Sequence, residues 1–156
     1  MAVRVQAEDF RIGAELDALA GGRHGIGGVA LFVGLVRDMA GGAPVGAMEL
    51  EHYPGMTERE LERIEAEARR RWPLEDVLIV HRYGRLEPGD RIVLAAAASA
   101  HREAAFEACR FIMDFLKTRA PFWKKEDTPG GGRWVDARAA DDAALGRWME
   151  KDQAAE

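Results

Sequence analysis

The stretch from Ser99 to Pro121 constrains the fold of this chain more than any other. Its polar positions Glu103, Glu107, Arg110, Asp114 and Lys117 step by four, three, four and three. On an α-helix, at roughly 100° per residue, they form one stripe about 80° wide. Almost everything between them is apolar, including Phe106, Cys109, Phe111, Ile112, Met113, Phe115 and Leu116. A helix with so narrow a polar face is buried on most sides. One sheet leaves part of it uncovered, which points to a subunit interface. Ser99 is the expected N-cap and Pro121 the stop.

The flanking segments predict mixed secondary structure. Val3–Gln6, Gly27–Val36, Ala47–Tyr53, Val77–Tyr83 and Arg91–Ala98 read as strands, the last with an alanine run of weak strand propensity. Leu86 to Asp90 is turn sequence pairing the last two. Asp9–Ala20 reads as a helix stopped by Gly21-Gly22. A second helix opens at Thr57, where Thr57 and Glu60 match a capping box, and ends before Pro73. Beyond Pro121, residues 128–132 read as a mobile loop leading into a strand at Arg133–Arg138. Asp141–Lys151 then reads as a terminal helix, with a fraying tail from about residue 150. The expectation is one α/β (α+β mixed) domain over residues 1–156, a mixed sheet with flanking helices.

Charge narrows the function classes. The net charge of −5 disfavours nucleic acid, which calls for a broad basic surface. Yet His101 and Arg102 open the long helix, Lys117 closes it, and Lys124-Lys125 follow the proline. Helix N-termini attract anions, and Arg suits bidentate binding of phosphate or carboxylate. Each cation also has a plain counterpart: Arg102 pairing with an acid, His101 lying on the surface, and Lys117 pairing with Asp114. Lys124-Lys125-Glu126 could be a solvated cluster, and Arg37 a solvated strand end. Against this, the bulk of Pro121-Phe122-Trp123 can hold the lysines against a concave surface. The single Cys109 excludes an intrachain disulfide and reads as core. Four histidines without HExxH spacing give no metal site, and no cofactor is expected. No apolar run approaches the roughly 20 residues that span a bilayer, and the start lacks a secretory pattern, so a cytoplasmic location is expected.

Several stretches resemble the catalytic (large) subunit family of molybdopterin synthase. They are Glu51-His52-Tyr53-Pro54-Gly55-Met56-Thr57, Arg71-Trp72-Pro73-Leu74, and His81-Arg82 through Gly84. The most specific are Ser99-Ala100-His101-Arg102, Phe111-Ile112-Met113-Asp114 and the run from Leu116 to Lys124. The resemblance implies a hammerhead-type fold and a homodimer within a heterotetramer. It implies a small ubiquitin-like partner whose C-terminal Gly-Gly carries a thiocarboxylate. Sulfur would pass from it to cyclic pyranopterin monophosphate, two transfers making the molybdopterin dithiolene. Lys117 and Lys124 match the family's catalytic lysines. Arg37, His101, Arg102, Lys125 and Glu126 match pterin-site positions, with Leu35 and Val36 beside Arg37.

Geometry adds one expectation. His101 and Lys117 are sixteen steps apart, so an unbroken helix separates them by about 24 Å and about 160° of rotation. One small pterin cannot span that distance, so the site is expected to draw His101 and Arg102 from one chain and Lys117 and Lys124 from its mate. The rival classes are a non-catalytic dimer binding an anionic metabolite or ubiquitin-like tail, and a phosphate-ester hydrolase. The Lys117/Lys124 pair argues against the first, and the lack of a metal or nucleophile constellation against the second.

Overall fold

A computed structural model of the chain describes residues 2–40, 43–44, 46–128, 131–134 and 146–149, with backbone alone at 39–40, 43–44, 123, 125–128 and 131–134. In chain order the elements are β1 Val3–Gln6, α1 Ile12–Ala20, β2 Gly28–Leu35, β3 Met39–Ala40, β4 Ala43–Pro44, β5 Met48–His52 and α2 Met56–Arg71. There follow β6 Asp76–Arg82, β7 Gly84–Leu86, β8 Arg91–Ser99, α3 Arg102–Arg119, β9 Phe122–Thr128 and β10 Gly131–Trp134. Residues 146–149 form a helical turn.

The first sheet has the order β1-β6-β8-β2 and is mixed: β1 runs parallel to β6, and the other pairs are antiparallel. Successive strand residues face opposite sides, and both sides are covered. Val77, Ile79, Val93 and Ala95 pack under Leu61 and Ile64 of α2 and Phe111, Ile112 and Leu116 of α3. Leu78, Val80, Leu94 and Ala96 pack on the other side with Phe10 and Leu19. The alanine run of β8 is a strand because burial on both faces overrides propensity. Its small side chains also admit α3 closely, with Ala97 against Ala105, Ala108 and Cys109.

The second sheet has the order β10-β9-β5-β7 and is antiparallel throughout. Met48, Leu50 and Leu86 join Val36 in a core cluster that Phe122 and Tyr83 flank. Thus the mixed α+β class read from the sequence is the observed one.

Several boundaries differ from the sequence reading, each for a local reason. Ser99 is the last residue of β8 rather than the cap of α3. His101 is the N-cap, with no side-chain capping bond, while Ser99 Oγ accepts the His101 N–H (3.3 Å) and donates to the Pro73 carbonyl (2.9 Å). The cap of α2 sits two residues earlier than read, and only half of a box forms: Gly55, at φ +85°, is the N-cap, and the Glu58 carboxylate accepts its N–H. Thr57 is thereby released to another task. α1 starts at Ile12 because the Asp9 carboxylate accepts the Phe10 N–H and pairs with Arg91. Thr128, Gly131 and Gly132 are strand residues of a hairpin rather than loop. Residues 129–130 and 135–138, and all of Asp141–Lys151 except 146–149, lie outside the described residues.

Candidate active site

Connectivity sets the ends of the site. α3 follows β8 and returns along it, so the α3 N-terminus lies near Ser99 and its C-terminus near the start of β8. β2 and β6 both end at that second end, since Leu35 pairs with Arg91 and His81 with Val93. Arg37, His81 and Lys117 therefore share one end of the first sheet, and His101 and Arg102 occupy the other. α3 is unbroken from Arg102 to Arg119, which puts about 22 Å between Arg102 and Lys117 at 1.5 Å per residue.

At the Lys117 end, His81 stacks on Phe122 with ring centroids 3.8 Å apart and planes at 21°. Its Nδ1 lies 2.9 Å from the Arg82 carbonyl oxygen. Burial, then the charges of Lys117 and His52, push the His81 pKa down to about 4 despite that bond. The imidazole is neutral at physiological pH. Phe122 and Lys124 lie on the same face of β9, two residues or about 7 Å apart. Lys124 is directly opposite Leu50, and Phe122 opposite His52. His52 in turn rests on Tyr83, with centroids 4.2 Å apart, and its Nε2 is 3.8 Å from a Glu58 oxygen.

The turn joining the two lysine-bearing elements is tied down. Thr57 is fully buried; its hydroxyl accepts the Tyr53 N–H (3.0 Å) and donates to the Pro121 carbonyl (3.0 Å). The Phe122 N–H donates to the Ala120 carbonyl at 2.9 Å. The chain from Lys117 to Lys124 is thus anchored to α2 and to the His81 ring.

Arg37 follows this same end. Leu35 is 56% exposed, whereas Val36 is buried, donates to Asp90 and accepts the Gly89 N–H at 2.7 Å. These bonds hold Arg37 and Asp38 beside Pro88 and Gly89, around a concavity of about 430 Å3. Lys125 and Glu126 are strand residues paired with Glu49 and Met48. Their side chains lie outside the described residues.

The opposite end is different. His101 and Arg102 are exposed, and His101 opens on a concavity of about 530 Å3 that Arg71, Trp72, Glu103, Glu107 and Trp148 also line. Glu103 and Glu107 put two carboxylates on that wall, beside the Arg71 guanidinium. Near it, Phe106 is 66% exposed on α3 and Phe32 44% exposed on the sheet-edge strand β2. Cys109 is core as read: its Sγ donates to the Ala95 carbonyl, and burial pushes the thiol up to about 11. Among the described residues no cluster of three His, Cys, Asp or Glu could hold a metal, and no helix is long and apolar enough to cross a membrane.

The sequence reading gave no role to His81 or Tyr83, took Thr57 as a helix cap, and gave Phe122 only bulk to hold the lysines. His81 alone left a trace: strand parity puts it on the face of Val77 and Ile79, where a histidine is out of place in an apolar stripe.

Known proteins share the sequence and fold of this chain. A molybdopterin synthase catalytic subunit of Pseudomonas aeruginosa is 61% identical over 150 residues, covering 96% of this chain and all of that one. A solved molybdopterin biosynthesis MoaE protein from Burkholderia ambifaria superposes with a TM-score of 0.80 at 59% identity, covering 95% and 98% of the two chains. The crystal structure of molybdopterin synthase from Staphylococcus aureus gives a TM-score of 0.78 at 31% identity, covering 85% and 95%. With the sequence model of the MoaE protein family also matching residues 5–119, this chain belongs to that family.

Proposed function

We propose that this chain is the catalytic subunit of a molybdopterin synthase, a sulfurtransferase of molybdenum cofactor biosynthesis. It takes sulfur from the C-terminal thiocarboxylate of a small ubiquitin-like carrier and passes it to cyclic pyranopterin monophosphate. Both reactants are anions, and the reading is carried by one observation. Arg37, His81 and Lys117 share one end of the first sheet, and Lys124 follows two residues after the Phe122 ring that stacks on His81.

In this reading Lys117 orients the thiocarboxylate and stabilises negative charge developing at its carbonyl. Lys124 moves a proton during ring opening and sulfur addition. Arg37, His101 and Arg102 bind the phosphate and pterin, aided by Lys125 and Glu126 and by the backbone at Leu35 and Val36. Because about 22 Å of helix separates Arg102 from Lys117 in one chain, His101 and Arg102 come from the dimer mate. The open faces of Phe106 and Phe32 beside the α3 N-terminus support a homodimer, which with two carriers makes a heterotetramer.

The test is anaerobic conversion of cyclic pyranopterin monophosphate to molybdopterin with thiocarboxylated carrier. Wild type converts it, and folded, carrier-binding Lys117→Ala loses at least about a hundredfold in rate, the scale of a deleted charge-stabilising group. No wild-type conversion, with carrier bound and a control synthase active, overturns the reading in favour of a binding module. Mixing His101→Ala chains with Lys117→Ala chains tests sharing of the site. Restored activity in the heterodimers supports it, and none after verified exchange rejects it.

A further inference from the structure

Asp38 has no part in the transfer described so far, yet it shares a wall with Arg37 that the fold clamps in place and leaves open. Val36 uses both backbone groups on the β7–β8 turn: its N–H donates to Asp90 (2.9 Å) and its carbonyl accepts the Gly89 N–H (2.7 Å). That turn is closed on itself, with the Asp90 carboxylate accepting the Glu87 N–H at 2.8 Å. The Val36 side chain is buried with Met48, Leu50 and Leu86. Beyond it the backbone bends at Asp38, and two consecutive residues line one concavity with Pro88 and Gly89. Its volume of about 430 Å3 suits a small ligand. Gly89, at φ +91°, leaves bare backbone there, and a Cβ on it would meet nothing within 4 Å. Among the described residues, neither the Arg37 nor the Asp38 side chain has a hydrogen bond or ion pair. A cation and a carboxylate thus line one space without neutralising each other.

We propose that Asp38 is a specificity-determining residue: its carboxylate accepts from the 2-amino group and the neighbouring ring N–H of the pterin, while Arg37 takes the substrate's anionic side. This rests on the synthase reading. The pyrimidine edge of a pterin presents two parallel N–H donors. An ionised carboxylate is acceptor-only and has two oxygens, so it matches that edge in bidentate fashion. Arg37 offers only donors and cannot read it. The substrate's phosphate repels a carboxylate, which places Asp38 at the uncharged end of the ligand. Val36 connects this wall to the strand of Lys124, since Met48 and Leu50, packed with it, pair with Glu126 and Lys124 of β9. A carboxylate that served only as counter-ion to Arg37 would compete with the phosphate, and its removal would tighten substrate binding. A carboxylate that reads the pterin has the opposite sign, because its removal weakens binding.

The experiment has a turnover arm and a binding arm, both on the full-length protein with its carrier. In turnover, Asp38→Ala should raise KM for cyclic pyranopterin monophosphate by about tenfold or more with kcat nearly unchanged, the pattern of a lost binding contact. Asp38→Asn, which keeps one acceptor oxygen, should fall between that variant and wild type. A wild-type or lower KM in Asp38→Ala overturns the proposal, as does Asp38→Asn no better than Asp38→Ala. In the binding arm the probes are pterin-6-carboxylate and lumazine-6-carboxylate, which differ only at position 2, where an oxo group replaces the amine. Wild type should bind the pterin about tenfold more tightly, and Asp38→Ala should bind the two alike. Equal affinities in wild type overturn the proposal without recourse to any variant. If wild type makes no molybdopterin yet prefers the pterin through Asp38, the synthase reading fails and the Asp38 subsite stands. If molybdopterin forms and neither KM nor preference depends on Asp38, the subsite fails and the synthase reading stands.

Discussion

Single atoms decide much at two positions. The Gly27 N–H donates to the Ser99 carbonyl at 2.9 Å, and a Cβ there would sit 2.0 Å from the Ala100 carbonyl oxygen. The β2–β8 ladder starts at the next residue, Gly28 opposite Ser99, so neither backbone can step aside. Gly27→Ala should therefore cost about 1–3 kcal/mol, the usual penalty of forced overpacking. It should also displace the turn carrying His101. The check is urea denaturation: a lower midpoint with unchanged slope is expected, and a wild-type midpoint would show that the close approach is relaxed at no cost. Thr57 makes the opposite kind of contribution, through a hydroxyl. Thr57→Val keeps the shape but removes the acceptor of the Tyr53 N–H and the donor to Pro121, which should cost about 1–3 kcal/mol. Pro121 directly precedes Phe122, so sulfur transfer should slow as well, and Thr57→Ser should restore both. Equal stability of Thr57→Val and wild type would refute the bridging role. The Gly27 contact could not be read from the sequence, because it depends on where residue 100 folds back.

Among elements, those with their own periodic signal were legible and those defined by a distant partner were not. β1 was read with both ends correct, and the apolar stripes of α2 and α3 gave their buried faces, because alternation and 3.6-residue spacing are written locally. β7 is three residues long and exists through pairing with β5, more than thirty residues earlier. β9 carries Lys124 and Lys125 in a polar sequence and is likewise held by β5. The turn at residues 146–149 shows the same dependence. Trp148 is buried against Trp72 and Phe111, and its indole N–H donates to the Asp114 carboxylate at 2.6 Å. Asp114 had read as one more member of the polar stripe, whereas it is the acceptor that docks this turn on α3. Trp148→Phe retains most of the packing and loses the charge-assisted bond, so a loss of about 1.5–3 kcal/mol is expected. Calorimetry or a denaturant melt measures it. Unchanged stability would mean that the indole–carboxylate bond is matched by water in the unfolded chain.

At the scale of the molecule, the length of α3 was legible and told which residues cannot meet, but the convergence of Lys117, His81 and Lys124 was not. It needs β6, α3 and β9 together, and each holds one member. The same tertiary arrangement dictates how stability responds to acid. Arg91 beside Asp9 holds that carboxyl at about 2, against its usual 3.8, and Arg70, with Arg71, holds Glu67 at about 2, against 4.5. In both the folded pKa is the lower one, so their contribution is complete above the unfolded values and drains away as pH falls toward 2. His81, pushed by burial from 6.5 down to about 4, behaves alike in sign though it is a base. Between those values the unfolded chain binds a proton that the folded chain refuses, so stability falls as pH drops from about 6.5 and levels off below about 4. Two stages of acid loss follow, and they respond differently to salt. Asp9 is half-exposed, and its ion pair should weaken as salt is added. The upper stage belongs to a ring packed between Phe122 and α3 and should barely respond. Thermal melts from pH 8 to pH 3, at low and high salt, should show the upper stage in wild type and its absence in His81→Phe. A wild type with constant Tm from pH 7 to 5 would mean that His81 takes up its charge in the folded protein without cost.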